Sequence, residues 1–154
     1  MMKVKEIMTS DPACCTSDGR LEEAAKLMVE HDCGEIPVVE SRDILRPVGV
    51  ITDRDITCRT VAQGKNPLEM KVAECMSSPC VTVTPETSPE ECCRVLEQHR
   101  IRRVPVVDEQ GYLCGMVSQA DIAKCAPNEQ TAEVVKEVSQ PTEAPSHASP
   151  SPAM

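Results

Sequence analysis

Residues 49–56 read GVITDRDI, and residues 115–122 read GMVSQADI. Each stretch has a glycine, two apolar residues, a hydroxyl side chain and an aspartate three places after it. Thr52-x-x-Asp55 and Ser118-x-x-Asp121 have the form of a helix start, with the hydroxyl as N-cap and the carboxylate reaching back. The same spacing sets one hydroxyl and two carboxylate oxygens at the end of a strand, where ligand crevices open in α/β layers. One such pattern arises often by chance. Two at matching places direct attention to what surrounds them.

A longer repeat carries both motifs. Val4–Glu40 lies without a gap on Val72–Asp108, and eleven of those 37 positions are identical. After a two-residue length difference in a turn, the glycine motifs fall into register. The chain is therefore two copies of one unit, and this organises every local reading. Units of this size rarely hold a core alone, so the copies are expected to pack on each other.

Within each copy the apolar period changes in a fixed order. Pro12–Thr16 and Cys80–Thr84 read as short extended segments. The first helix runs from about Arg20 to His31, with Leu21, Ala24, Ala25 and Met28 on one stripe. Its counterpart opens with SPEE at Ser88–Glu91, a capping box with proline at the first helical position. EIPVVE and RVPVVD read as strands, RPVGVIT and YLCGMVS as second strands, and DRDITCRTVAQ and QADIAKCA as helices. Pro37 and Pro105 lack a backbone donor, which predicts a strand start or an edge. The unit is β-α-β-β-α and the fold class α/β (α+β), with Lys3–Met8 and Lys71–Met76 as helical lead-ins. The chain divides into a first repeat at 3–63, a linker at 64–71 and a second repeat at 72–126. A C-terminal helical segment at 127–139 would use Ala132, Val135 and Val138 as its stripe, and composition predicts disorder at 140–154.

The 154 residues contain no Phe, no Trp and one Tyr, Tyr112, so the core must come from aliphatic residues, Met and Cys. No run approaches the roughly 18 apolar residues of a membrane span, and MMKVKEIM lacks the apolar stretch of a signal peptide. A cytoplasmic protein without a membrane partner is expected. The net charge of −9 and the missing aromatics argue against nucleic acid. The one basic cluster, RIRR at Arg100–Arg103, suits a phosphate or two. With no nucleophile and base in evident pairing, no P-loop and no dinucleotide fingerprint, no enzymatic activity is expected.

Ten cysteines lack any C-x-x-C spacing, and no metal is expected. The repeat sets Cys15, Cys33, Cys75, Cys92, Cys93 and Cys114 opposite Val83, Ile101, Ile7, Ala24, Ala25 and Val48, as suits buried reduced thiols. Cys14, Cys58, Cys80 and Cys125 face Thr82, Lys124, Pro12 and Arg59 and are expected to be more exposed. Any redox or metal role would rest on those four. His31 and His99 end the first helix of each copy, where a cation suits the helix dipole; a ligand-phosphate contact or a metal shared across a dimer is the alternative.

Around the motifs the parts of a nucleotide site assemble. Free N–H groups at the following helix suit a phosphate. Thr52 or Ser118 would bond phosphate or ribose, and Asp55 or Asp121 would take the ribose diol. The base would lie among Ile36, Val38 and Ile51 beside Pro37, or among Val104, Val106 and Val117 beside Pro105. Asp53 and Arg54 stand inside the first motif, Gln119 and Ala120 inside the second. Arg54 would meet the phosphate in one cleft and Arg102 or Arg103 in the other. Glu35 and Asp53 add negative charge to the first, so the second is expected to prefer the more highly charged nucleotide.

With IPVV and VPVV each followed by G-h-h-[T/S]-x-x-D-h, the doubled unit resembles a CBS-domain pair, or Bateman module, from Lys3 to about Cys125. The resemblance implies two repeats around a pseudo-twofold axis with two clefts between them. It implies a regulatory or sensing module for adenosyl ligands, namely AMP, ADP, ATP or S-adenosylmethionine, with NAD or cyclic dinucleotides bound by some relatives. It further implies a disc-shaped homodimer and action through a protein partner. Thr52 with Asp55 and Ser118 with Asp121 are the pairs it carries over. The competing reading is a redox- or stress-responsive interaction protein with exposed cysteines and vestigial clefts.

Overall fold

A switch of apolar period from helical to alternating, twice over, lays out the elements. In chain order they are β1 (Thr9–Ser10), β2 (Cys15–Thr16), α1 (Leu21–Glu30), β3 (Glu35–Val39), β4 (Pro47–Thr52), α2 (Asp53–Arg59), α3 (Pro89–His99), β5 (Arg103–Val107), β6 (Leu113–Ser118) and α4 (Gln119–Ala123). This computed structural model describes residues 2–78 and 80–125. The helical segment and the disordered tail expected at 127–154 lie outside them.

Leu21, Ala24 and Met28 face the core from α1, flanked by Arg20 and His31 at its ends. On α3, Ser88 Oγ accepts from Glu91 N at 3.1 Å. The box is only half made there, because the Glu91 carboxylate turns to Arg94 at 2.9 Å.

Two three-stranded sheets form, in the orders β2-β3-β4 and β1-β6-β5. Neither proline sits at a strand start, since Pro37 and Pro105 are the third residues of β3 and β5. Pro37 lies in a central strand, whereas β5 is the edge strand of its sheet, met on its outer side by an isolated bridge from Val83. The neighbour on the short side uses other groups: Val83 N donates to Pro105 O at 3.0 Å, and Val107 N donates to Val83 O at 2.9 Å. In the first copy that ladder begins only at Val38, paired with Cys15. The missing proline donor falls before each ladder starts.

The lead-in segments cross between copies. Thr9 and Ser10 pair with Met116 and Gly115 on β6, while Ser77 bridges Val50 on β4. Main-chain bonds repeat the exchange, with Val4 N donating to Thr87 O at 2.8 Å and Val72 N to Gly19 O at 2.9 Å. Both bonds occupy the same repeat positions, so the halves are related by a pseudo-twofold axis. Side chains follow the backbone. Val4 is buried in the second copy's core with Val83, Cys92, Cys93, Leu96, Val104, Val106, Val117 and Ile122. Met70, Val72 and Cys75 are buried in the first copy's core with Leu21, Ala24, Ile36, Val38 and Ile51.

This crossing gives the motif glycines their reason. A Cβ on Gly49 would run into Ser77 O and Met76 Cε, and one on Gly115 into Met8 Sδ with Thr9 O 3.1 Å away. Only a bare strand lets the other copy's chain lie directly against it. At the far end of the hairpins the copies meet again, where Leu113 N donates to Leu45 O at 2.7 Å. The Arg46 guanidinium stacks 5.5 Å from the centroid of Tyr112 beside that bond.

Cys15, Cys75, Cys92 and Cys93 are buried, and Cys33 and Cys114 are half-buried against the cores. Of the four expected to be more exposed, Cys125 is exposed while Cys14, Cys58 and Cys80 are half-buried. Burial pushes the Cys15 and Cys92 thiols up to about 12 and the Cys80 and Cys93 thiols up to about 11. These four thiols stay protonated at neutral pH, and it is the thiolate that reacts. No helix among the described residues is long and apolar enough to cross a membrane.

Candidate functional site

Both glycine motifs form complete capping boxes. Asp55 N donates to Thr52 Oγ1 at 3.0 Å, and Thr52 N donates to Asp55 Oδ2 at 3.0 Å. Asp121 N donates to Ser118 Oγ at 3.1 Å, and Ser118 N donates to Asp121 Oδ2 at 2.9 Å. Each hydroxyl and carboxylate is thereby fixed at the strand-to-helix junction, with one carboxylate oxygen consumed by the cap. What the remaining oxygen faces differs between the copies.

Asp121 opens onto a cleft of about 290 Å³ between the two copies. Its walls are the lead-in Thr9–Ala13, His31 and Cys33 after α1, Glu35, Ile36 and Pro37 of β3, Arg103 of β5 and Met116 of β6. Among the described residues no side chain takes up Asp121 Oδ1. Sequence spacing grouped Ile36 and Pro37 with Thr52 and Asp55 of their own copy. The fold keeps them beside that motif, with Ile36 paired to Ile51 on β4, and also brings them into the lining of the Asp121 cleft.

Asp55 is already engaged. Ser77 Oγ lies 3.4 Å from both of its oxygens, and Arg59 Nη2 lies 3.6 Å from Oδ1. The same guanidinium donates to Cys75 O at 2.6 Å and Met76 O at 2.7 Å. Side-chain exposure is only 14% for Asp55 and 19% for Arg59. The repeat puts Thr9 in place of Ser77 and Cys125 in place of Arg59, so this arrangement belongs to the first copy alone.

Glu35 lies between the two motifs. Sequence reading assigned its charge to the first cleft, yet it lines the Asp121 cleft beside Arg103. Burial pushes its carboxyl up to about 7; Arg103 opposes the rise, while Asp55 and Asp53 add to it. In the first motif, Asp53 N donates to Gly34 O at 2.9 Å. A Cβ on Gly34 would come 2.8 Å from Asp53 Oδ2, so glycine leaves room for that exposed carboxylate against the strand. In the second, Gln119 N donates to Arg102 O at 2.8 Å, and Gln119 Oε1 is buried with no hydrogen-bond partner among the described residues. Arg54 and Arg102 are exposed.

Of the aliphatic residues read as a base cradle, Ile36 and Pro37 line the Asp121 cleft, and the others are packed in the cores. Val38, Ile51, Val104, Val106 and Val117 are 0% exposed, and Pro105 is buried. Val38 and Ile51 sit in the first copy's core, and Val104, Val106 and Val117 in the second's, as alternate residues on one face of each strand pair. Conversely, the lead-in residues Thr9–Ala13, Met116, Ser77 and Arg59 were not singled out from sequence. The signals available were the Thr-Ser and Ser-Ser pairs at equivalent lead-in places, and Arg59 one helical turn after Asp55. Among the described residues no group of three or more His, Cys, Asp or Glu is placed to hold a metal ion.

Comparison with known proteins bears on this arrangement. The CBS domain family profile matches residues 4–59 and 72–128. The CBS domain-containing protein YhcV of Bacillus subtilis (strain 168) is 42% identical over 123 residues, covering 80% of this chain and 84% of that protein. Hypoxic response protein 1 of Mycobacterium tuberculosis is 34% identical over 141 residues, covering 92% of this chain and 96% of that one. A crystal structure of Hypoxic Response Protein I with two coordinated zinc ions superposes at a TM-score of 0.72 and 35% identity, over 82% of this chain and all of that one (100%). The CBS domain pair of protein MJ0100, solved with 5′-methylthioadenosine and S-adenosyl-L-methionine, superposes at a TM-score of 0.71 and 27% identity over 80% of this chain and 94% of that one.

Proposed function

The chain belongs to the CBS domain family, and from that premise we propose that it is a regulatory module that senses an adenosyl ligand in the cleft of Asp121. The observation that carries this reading is the fixed, inward-facing Asp121 carboxylate, whose Oδ1 is available to a ribose diol at the junction of both copies. MJ0100, with its two adenosyl ligands, supports the ligand class. A molecule in this cleft would touch the first copy through its lead-in and β3 and the second through β5, β6 and α4. Binding would stabilise the assembled pair by mass action and present a changed surface to a protein partner. No catalytic step is part of this function.

The charge of the cleft refines the ligand. Asp11 and Asp121 outnumber Arg103, Glu35 adds a partial negative charge at neutral pH because its carboxyl is pushed up to about 7, and His31 is also in the lining. That balance favours adenosyl groups with one phosphate or none, such as AMP, 5′-methylthioadenosine or S-adenosylmethionine, over ATP. It reverses the order read from sequence, which left Glu35 out of this cleft. A second copy of the chain is the protein partner best supported, since an apolar groove of about 260 Å³ runs along α1 past Ala25 and Val29 to Ile56 and Leu68.

Isothermal titration of the full chain with 5′-methylthioadenosine, S-adenosylmethionine, AMP and ATP tests the reading. Asp121→Ala should weaken the tightest of them at least tenfold, since hydrogen bonds to a charged group are worth about 1.5–3 kcal/mol. Tightest binding by ATP would remove the charge argument. Absence of binding by all four would remove the function.

A further inference from the structure

The two ribose-type carboxylates are chemically alike in sequence and unlike in the fold. Asp55 is clasped by Ser77 at 3.4 Å and by Arg59 at 3.6 Å, and Arg59 is anchored in turn on two main-chain carbonyls. We propose that Arg59 is an internal occupant of the first cleft, which holds Asp55 closed to a ribose and leaves one adenosyl site per chain, at Asp121. This rests on the adenosyl reading above and goes beyond it by fixing the stoichiometry and the residue that sets it.

The argument is one of competing partners. Asp55 Oδ2 accepts from Thr52 N, and Ser77 Oγ bridges both oxygens. A ribose diol would have to displace Ser77 and weaken a guanidinium pair that is four-fifths buried. That guanidinium also ties α2 to the lead-in at 75–77, whose Ser77 N donates to Val50 O at 2.8 Å. Freeing Asp55 therefore loosens a strand pairing as well as an ion pair. Among the described residues the second copy carries no such clasp, because Cys125 stands at the position of Arg59 and is exposed. Removing one partner of a buried, hydrogen-bonded charge pair leaves the other charge unmet, and a ligand hydroxyl could then meet it.

Calorimetric stoichiometry with 5′-methylthioadenosine as probe, on the full chain, decides the matter. Wild type should bind one molecule per chain, lost in Asp121→Asn. Arg59→Gln should bind two. Ser77→Ala, which keeps the guanidinium anchored, should still bind one, and it serves if Arg59→Gln proves too unstable to titrate. Two molecules bound by wild type, or one that survives Asp121→Asn, would overturn the inference while leaving the adenosyl reading intact. A folded Arg59→Gln chain that still binds only one would also overturn it, as would two bound by Ser77→Ala. No binding in wild type or in any variant would instead defeat the adenosyl reading itself.

Discussion

The first and second copies share a capping box to within 0.1 Å in every bond, yet their carboxylates face different surroundings. Asp55 meets Ser77 and Arg59 in a nearly closed setting, while Asp121 meets the open wall of a cleft. The difference teaches that a motif fixes the orientation of its side chains and leaves their use to whatever the other half of the fold brings near. Equivalent residues have drifted apart in the parts that touch the neighbour. Gly34-Glu35 stands against Arg102-Arg103, Asp53 against Gln119, and Arg59 against Cys125.

The largest effect expected from breaking this comparison lies at the motif glycines. Gly49→Ala should cost about 3 kcal/mol and Gly115→Ala about 1 kcal/mol, because overpacking is severe against fixed backbone and milder against a side chain that can turn. The methyl at 49 meets the Ser77 carbonyl, whereas at 115 the nearest atom is the flexible end of Met8. Urea denaturation of both variants checks the order, and equal losses would contradict the asymmetry.

A smaller effect concerns Glu35. Its carboxyl is pushed up from 4.5 to about 7 in the folded chain. The folded state then binds a proton that the unfolded state has released, so stability falls as pH rises through that window. The groups that face it are Arg103, which opposes the shift, and Asp53 and Asp55, which add to it. Glu35→Gln should flatten the decline in melting temperature between about pH 5 and 8, worth about 2 kcal/mol. An unchanged slope would mean that Glu35 ionises freely.

The smallest effect is on association. Val29 is 84% exposed on α1, and the second copy has Glu97 at that place. Val29→Glu would match the two helices at this position, and should weaken self-association about tenfold, the equivalent of about 1.4 kcal/mol. Analytical ultracentrifugation reads this directly. A wild-type monomer at high concentration would remove the second-copy reading.

Much of the fold was legible because its signals are local. Helical spacing at Leu21, Ala24 and Met28 and hydroxyl-to-carboxylate spacing at 52–55 and 118–121 each lie within a few residues, and the repeat doubled every one. The exchange of lead-ins was not legible, since Thr9–Ser10 on β6 is a two-residue pairing across most of the chain. Everything downstream of that crossing was correspondingly hidden. Ile36 and Pro37 stand beside the first motif and also line the cleft of Asp121, Glu35 lies between the two motifs, and Ser77 reaches Asp55 from the other copy's lead-in. Arg59 was visible by its i,i+4 spacing from Asp55, but its anchors at Cys75 and Met76 were not. Pro37 misled for another reason. A missing donor excludes a residue from a ladder only where the neighbouring strand extends far enough to ask for it.

Val4 spends its burial in the core of the second copy, and Val72 spends its own in the core of the first. Neither half is thus a separable part, and cleaving the connection near Gly64 would yield no independently folding fragment. Each half would carry a lead-in whose proper seat is on another polypeptide. A lone repeat of this kind has one way to complete itself, which is to trade lead-ins with an identical partner. The tandem chain makes that trade within one polypeptide, so each half can carry a different site.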